Sequence, residues 1–184
     1  MQDFEWDEIE SIDEIEEGEC YDICLLEEDV LDGEPNFIAN GFVVHNSGIT
    51  EEFLKRKTGK SEEDWKRTLP KKLLPILKPT QGLCVCQEHN VLTENGWINL
   101  RDMVANPDAF VGEQLPTYNE VSGDVELGKI TAVWDKGLKE CYEITLEDNT
   151  TLVLTADHIV YTNNGEKKVV DLTKEDKLLK AYFK

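Results

Sequence analysis

Short runs of alternating hydrophobic and polar residues fill residues 84–184, and many of the hydrophobic ones are β-branched or aromatic. This period-two pattern is typical of strands with one buried face. Asn95-Gly96 separates the runs NVLT and WINL, which predicts a tight hairpin. A helical turn is expected over residues 100–106, ending before Pro107. The segment is therefore predicted to be almost all β.

The β pattern continues in residues 1–46, where NFIANGFVVHN predicts strand, turn and strand around Asn40-Gly41. The two β segments also share an internal echo. The sequence ECYDI (19–23) is similar to ECYEI (140–144), and a glycine precedes each by a few residues. Such an echo fits a β fold built from two related halves.

Residues 47–83 have a different pattern. Thr50 and Ser61 each precede acidic residues, as helix-capping residues do, and the hydrophobic spacing that follows suggests two short helices. Pro70 and Pro75 limit the second helix. The stretch KPTQGL then predicts an extended linker. The segment is interpreted as a small helical insert between two β segments.

The charge distribution supports the same three segments. The net charge is −20. Residues 1–46 carry sixteen acidic and no basic side chains, residues 47–83 have a net charge of +4, and residues 84–184 have −8. The sequence shows no cluster of basic residues of the kind that binds nucleic acid. The acidic residues of segment 1–46 are most simply interpreted as a solvent-exposed face. The basic insert therefore resembles a segment of separate origin placed between two acidic segments.

Membrane and secretory roles are not expected. No run of residues approaches the roughly 20 apolar residues that a membrane span needs, and the acidic start MQDFEWDEIE is unlike a secretory signal or transit peptide. A cytoplasmic protein is therefore predicted. The cysteines are odd in number and irregularly spaced, which argues against a disulfide framework: Cys20, Cys24, Cys84, Cys86 and Cys141. The pair Cys84 and Cys86 alone does not predict a metal site.

The order of the motifs carries the functional interpretation. If residues 84–184 are placed before residues 1–46, the rearranged chain begins at Cys84 and ends at His45-Asn46, with the hydroxyl nucleophile Ser47 just beyond. Four motifs lie in that order: CVCQEHNVLT (84–93), LTADHIVYT (154–162), ECYDI (19–23) and NFIANGFVVHNS (36–47). Together they resemble the conserved blocks of inteins, the protein-splicing elements of the Hint family, in permuted order.

The resemblance implies an all-β, horseshoe-like Hint domain with pseudo-two-fold symmetry, formed jointly by residues 1–46 and 84–184. It also implies the first chemical step. Cys84 would attack the preceding carbonyl to form a thioester, and a thiol suits this role because thiolate is accessible near neutral pH. His158 would protonate the departing nitrogen, while Thr155 would orient the bond and help to stabilise the oxyanion.

The later steps follow from the same resemblance. Ser47 would take over the acyl group, and Asp22 is the candidate to accept its proton or to coordinate the steps. Asn46 would then cyclise to a succinimide, which cuts its bond to Ser47, with His45 polarising the carbonyl or protonating the leaving group. No cofactor or metal is implied, because each broken peptide bond is matched by transfer or cyclisation.

One position departs from the family pattern. Pro35 lies where the family often has a histidine before the terminal block, so His45 or another group must compensate. His89 is a conceivable substitute, although its place in the first strand suggests a position away from the site. Cys86 is an alternative nucleophile, but the spacing of Cys84 to Thr93 fits the first block better. The remaining cysteines are interpreted as small core residues.

The permuted order predicts an unusual product. Joining Leu83 to Ser47 would release residues 47–83, the extein, as a cyclic 37-residue peptide in a single turnover. The two intein pieces would remain associated as partners. Alternatives are a middle fragment that trans-splices with two other chains, a Cys/His hydrolase using Cys84 and His158, an acidic module that binds a basic partner, and an inert permuted scaffold.

Overall fold

The computed structural model describes residues 2–26, 36–45, 84–86, 88–119 and 122–183. The described part of the chain is all β, with twelve strands and a single α-helix. The strands are β1 Gln2–Leu26, β2 Asn36–Ala39, β3 Phe42–His45, β4 Val85–Cys86, β5 Asn90–Thr93, β6 Gly96–Asn99, β7 Gln114–Tyr118, β8 Val125–Leu146, β9 Thr151–Thr155, β10 Ile159–Thr162, β11 Gly165–Lys168 and β12 Lys177–Phe183. The predicted all-β class is confirmed. The helical insert predicted for residues 47–83 lies outside the described residues.

The strands form one antiparallel assembly with the order β6-β5-β2-β3-β10-β12-β1-β4-β9-β8-β7, while β11 pairs with β10. Strands from the first and third segments of the chain alternate in this order. The β2–β3 hairpin lies between β5 and β10, and β1 lies between β12 and β4. The two β segments of the sequence therefore build a single interleaved fold.

Two strands are much longer than the sequence pattern indicates. β1 has 25 residues and β8 has 22, and they pair antiparallel from Ile9 opposite Leu146 to Leu26 opposite Lys129. Four register shifts interrupt this pairing. Such bulges bend a strand and raise its twist, so one continuous strand can serve both ends of the assembly.

The short elements follow the sequence expectations. Glu94 and Asn95 form the turn that joins β5 to β6, one residue before the predicted pair Asn95-Gly96, while Asn40-Gly41 joins β2 to β3, with both of its residues at positive φ. Asn and Gly tolerate this conformation best, which explains their presence in the tight hairpin. Helix α1 spans Leu100–Ala105, directly before Pro107, as predicted.

The main core lies between the long strands and the short hairpins. Its largest fully buried side chains include Ile23 of β1, Phe37 of β2, Phe42 of β3 and Ile144 of β8. Met103 anchors α1 to this core. Within the described part of the chain, no helix is long and apolar enough to cross a membrane.

Candidate active site

The backbone of Cys84 is held by Thr155 through two hydrogen bonds. The Cys84 N–H donates to Thr155 Oγ1 at 3.3 Å, and the Thr155 N–H donates to the Cys84 carbonyl at 3.2 Å. The pairing of Val85 with Leu154 continues this contact along β4 and β9. Because the Cys84 nitrogen belongs to the peptide bond with Leu83, Thr155 contacts the atom that would depart in the first step.

A tight turn explains the spacing between Thr155 and His158. The His158 N–H donates to the Thr155 carbonyl at 3.0 Å, which closes a four-residue turn at the end of β9. The short 3₁₀ helix Val169–Asp171 packs beneath this turn, where the Val169 N–H donates to the His158 carbonyl at 2.9 Å. The turn brings the imidazole of His158 beside Cys84.

His158 is fully buried between the two ends that the sequence analysis singled out. Burial, and after it the electrostatic influence of His45, lower the pKa of His158 to about 3. The backbones of Cys84 and His45 both lie close enough to oppose this shift. Neither ring nitrogen has a hydrogen-bond partner of good geometry among the described residues. The ring is therefore neutral at physiological pH.

His45 ends β3 and is also fully buried. Its ring stacks on Tyr161 with centroids 4.4 Å apart, and its Nε2 lies 3.2 Å from Glu166 Oε1. Tyr161 and Glu166 face each other across β10 and β11. The two contacts fix both the plane of the imidazole and the direction of one ring nitrogen.

Asp22 approaches the same thiol from β1. Cys20 pairs with Cys86 and Tyr21 with Val85, so the continued antiparallel register sets Asp22 opposite Cys84. Asp22 is buried, and its Oδ2 lies 3.6 Å from Lys136 Nζ. Burial raises the pKa of the Cys84 thiol, and the negative charge of Asp22 raises it further. The Cys84 side chain is therefore a protonated thiol near neutral pH.

Three predicted groups cannot be placed. Asn46, Ser47 and the Leu83 side of the scissile bond lie outside the described residues, as does Pro35. The neighbour of Pro35 is described: buried Asn36 accepts the Tyr118 N–H at 2.7 Å and donates to the Tyr118 carbonyl at 2.8 Å and the Tyr161 hydroxyl at 3.2 Å. Asn36 thereby holds the tyrosine on which His45 stacks.

His89 belongs to a different group of residues. Its Nε2 accepts the Val153 N–H at 2.8 Å, which braces β9, and burial lowers its pKa to about 4. It interacts electrostatically with Cys141. Because Nε2 is an acceptor, the neutral ring carries its proton on Nδ1. This bond assigns His89 a structural contact in the sheet.

The sequence analysis did not identify three residues that touch the site: Tyr161, Glu166 and Lys136. Tyr161 lies three residues after His158, on the neighbouring strand, and aromatic residues are common there for packing alone. Glu166 and Lys136 come close only through the β10–β11 and β1–β8 pairings. The sequence predicts a turn at Asn163-Asn164-Gly165, and that turn could have pointed to Glu166, whereas Lys136 gave no local signal.

The described geometry provides a buried thiol, a clamp on its amide nitrogen, and two buried imidazoles. At rest the thiol is protonated and His158 is neutral, so neither is charged. Such a site suits a reaction in which one proton moves from sulfur to nitrogen with no net change in charge. It does not expose a preformed thiolate to solvent.

The comparisons with known proteins add no identification. No family model matches the chain, and no curated protein matches its sequence. The functional assignment therefore rests on the residues and their geometry.

Proposed function

We propose that the chain is a split intein in permuted order, which splices residues 47–83 into a ring. Residues 1–46 act as the C-terminal piece, and residues 84–184 act as the N-terminal piece. The reaction is autocatalytic and occurs once per chain. Its substrate is the flanking peptide of the same molecule, and it needs no cofactor.

The observation that carries the proposal is the meeting of two chain positions far apart in sequence. Cys84 begins the third segment, and His45 is the last described residue of the first. The backbones of both lie beside the His158 imidazole. Splicing requires the two junctions to share one site, and residues 39 positions apart have no other evident reason to converge on one buried imidazole.

The first step is an acyl shift from nitrogen to sulfur at Cys84. The sulfur bonds to the Leu83 carbonyl carbon, the bond from that carbon to the Cys84 nitrogen breaks, and the thiol proton ends on the new amine. Thr155 holds the departing nitrogen, so it keeps the peptide bond fixed while the sulfur attacks. His158 carries the proton between sulfur and nitrogen, which its neutral resting state allows.

The second step transfers the acyl group. The Ser47 hydroxyl oxygen bonds to the thioester carbon, the carbon–sulfur bond breaks, and the serine proton returns a thiol at Cys84. Asp22 is the nearby carboxylate suited to accept that proton in transit. Its buried position beside Lys136 keeps it fixed on the thiol side of the site.

The last step that the folded site would direct is cyclisation of Asn46. Its side-chain nitrogen bonds to its own carbonyl carbon, the bond to Ser47 breaks, and the proton from the side-chain nitrogen ends on the Ser47 nitrogen. The freed Ser47 amine then attacks the ester carbon, the carbon–oxygen bond breaks, and an amine proton returns to the hydroxyl, which leaves a peptide bond between Leu83 and Ser47. His45, oriented by Tyr161 and Glu166, supplies polarisation or a proton in the cyclisation. These two contacts, with Asn36 behind Tyr161, are proposed to replace the family histidine at position 35.

We also propose that the β assembly is a Hint fold with pseudo-two-fold symmetry. The echo ECY occurs once on β1 and once on β8, which pair antiparallel. Cys141 lies opposite Ile15, which is five residues before Cys20 on β1. Cys20 lies opposite Gly137, which is four residues before Cys141 on β8, so the two relations are nearly equivalent. A local two-fold axis between the strands produces this relation. A pair of long shared strands also suits a horseshoe-like outline.

The test is an intact-mass time course of freshly made chain. Full splicing gives three species: a cyclic peptide of residues 47–83, residues 1–46 ending in a succinimide, and residues 84–184. Their masses sum to that of the precursor, because no water is consumed. Cys84→Ala must abolish the cyclic product, and Asn46→Ala must stop the reaction at the acyl-transfer stage. Cys24→Ala is the matched control, since Cys24 contacts Trp134 instead of the junction.

Other outcomes would contradict the proposal. An unmutated chain that stays intact argues against splicing in cis. Release of the linear peptide 47–83 from the Cys84→Ala variant argues against it as well. Products that appear only after other chains are added indicate the trans-splicing alternative. A Cys/His hydrolase would turn over an added thioester or peptide repeatedly, although Cys84 is fully buried and a dissolved substrate would need the chain to open.

A further inference from the structure

Three cysteine sulfurs meet inside the protein, in the same buried cluster as Cys84. The Sγ of Cys141 lies 3.3 Å from that of Cys20 and 3.3 Å from that of Cys86, and the Cys20–Cys86 distance is 3.7 Å. All three thiols are free, and all three residues are buried. They come from three strands, β1, β4 and β8, whose pairing fixes the triangle. We call Cys20, Cys86 and Cys141 the thiol triangle.

The dimensions of the thiol triangle suit a soft metal. Zinc binds thiolate sulfur at about 2.3 Å, so two sulfurs on a tetrahedral ion lie about 3.8 Å apart. The three observed separations are shorter than this by about half an ångström or less. A rotation of the cysteine χ1 angles by a few degrees would open the triangle to that size. No movement of a strand is required.

The surroundings leave space for the sulfurs. Gly18 lies in a register shift of β1, where an added Cβ would come within 2.9 Å of Cys86 Sγ and 3.5 Å of Cys141 Sγ. Its missing side chain is therefore what allows the three thiols to converge. The apolar side chains of Ile15 and Val153 cover the cluster. Cys141 Sγ also lies 3.3 Å from the Lys139 carbonyl oxygen. Surroundings that are mainly apolar favour soft thiolate ligands over oxygen ligands.

From this geometry we propose that Cys20, Cys86 and Cys141 form a three-thiolate binding site for a thiophilic cation of the Zn²⁺ class. The fourth ligand is not His89. Ligation through Nδ1 would place the proton on Nε2, and Nε2 already accepts the Val153 N–H. Three sulfurs from the protein and one small external ligand are the expected coordination. The ion would join residues 1–46, which supply Cys20, to residues 84–184, which supply the other two.

The test uses the full chain carrying Cys84→Ala. This chain cannot form the proposed thioester, so the result is independent of whether the protein splices. The reduced, metal-free chain is titrated with Zn²⁺ and, as an optical probe, Cd²⁺. We expect one ion per chain by native mass spectrometry, a sulfur-to-cadmium charge-transfer band, and an X-ray absorption fit for zinc with three sulfurs at about 2.3 Å.

Variants then locate the ion. Adding Cys20→Ser or Cys141→Ser should weaken binding by on the order of 100-fold or more, because each removes a ligand. Adding Cys24→Ser should leave the affinity unchanged. Circular dichroism checks that each variant is folded, and if the serine variants are unfolded, the sulfur count from X-ray absorption of the parent chain decides.

Three results would overturn the proposal. The first is a folded parent chain that retains no ion, which would make the thiol triangle an ordinary part of the core. The second is a bound ion with nitrogen or oxygen as its main ligands. The third is an affinity that Cys20→Ser does not change in a folded chain. A disulfide isolated between two of the three cysteines in a metal-free chain kept under mild reductant would also count against a metal site.

Discussion

The two halves of β1 show how differently one strand can be used. Residues 4–19 are mostly exposed or half-buried and carry nine carboxylates, whereas residues 20–25 are all buried and carry only Asp22. Both halves pair with β8. The outer half also pairs with β12 and has one face in water, while the inner half is covered on both faces. What covers a strand, more than the residue types in it, decides where buried chemistry can be placed.

The largest expected difference between the halves is in packing. Ile23→Ala, in the inner half, should lower the free energy of unfolding by about 3 kcal/mol, because a fully buried isoleucine leaves a cavity. Ile12→Ala, in the outer half, is the matched control and should cost less than half as much, since Ile12 is only partly buried. Urea denaturation of both variants in the Cys84→Ala chain measures this. Equal losses would mean that the two halves are packed equally well.

Acidic pH should next separate the buried site beside the inner half, represented by His158, from the exposed carboxylates of the outer half. The folded-state pKa of His158 is about 3, below its unfolded value of about 6.5. Its contribution to stability is therefore present above pH 6.5 and is lost as the pH falls towards 3. Between pH 6.5 and 5 the loss should reach about 2 kcal/mol, before most carboxylates of the outer half take up protons, which begins below about pH 5.

His158→Gln is the control for that experiment. The variant should show a shallower decline of unfolding free energy between pH 6.5 and 5. It should not become flat, because buried His89, with a pKa of about 4, contributes in the same direction. If the unfolding free energy declined with the same slope in the parent chain and in the His158→Gln variant, the His158 ring would not be buried in its neutral form.

Charge removal should give the smallest effects. Asp22→Asn in the inner half should cost about 1 kcal/mol, because buried Asp22 loses its ionic contact with Lys136. Glu8→Gln in the outer half should leave the denaturation midpoint unchanged, even though Glu8 lies 2.6 Å from Lys177 Nζ, because exposed ion pairs are well solvated. A larger effect at Glu8 than at Asp22 would reverse the interpretation of the two halves.

The sequence predicts the β class and the local elements well. Turn pairs such as Asn95-Gly96 and Asn40-Gly41 act through backbone conformation, which is a local property, and both hairpins form. The turn from Thr155 to His158 also follows from the spacing of its motif. In each of these cases neighbours in the sequence determine the geometry, whereas Cys84 reaches the turn only through the long-range pairing of β4 with β9.

Long-range register is what the sequence pattern does not reveal. Ile9, Ile12 and Ile15 are three residues apart, a spacing that fits no regular strand. The register shift between Ile9 and Ser11 lets Ile9 and Ile12 share the main core, and the regular pairing that follows turns Ile15 to the other face, against the cysteines. The thiol triangle and the Glu166 contact depend on such pairings, so local reasoning missed them.

The alternation of first- and third-segment strands across the sheet also governs what happens if the chain is cut anywhere between positions 46 and 83. Neither fragment would contain a complete core, because β1 lies between two strands of the other fragment and the β2–β3 hairpin, taken as a unit, also has strands of the other fragment on both sides. Separation would thus require the whole assembly to come apart. The lifetime of the nicked pair should equal the waiting time for global unfolding, so a severed molecule would be held together kinetically for as long as an intact one stays folded.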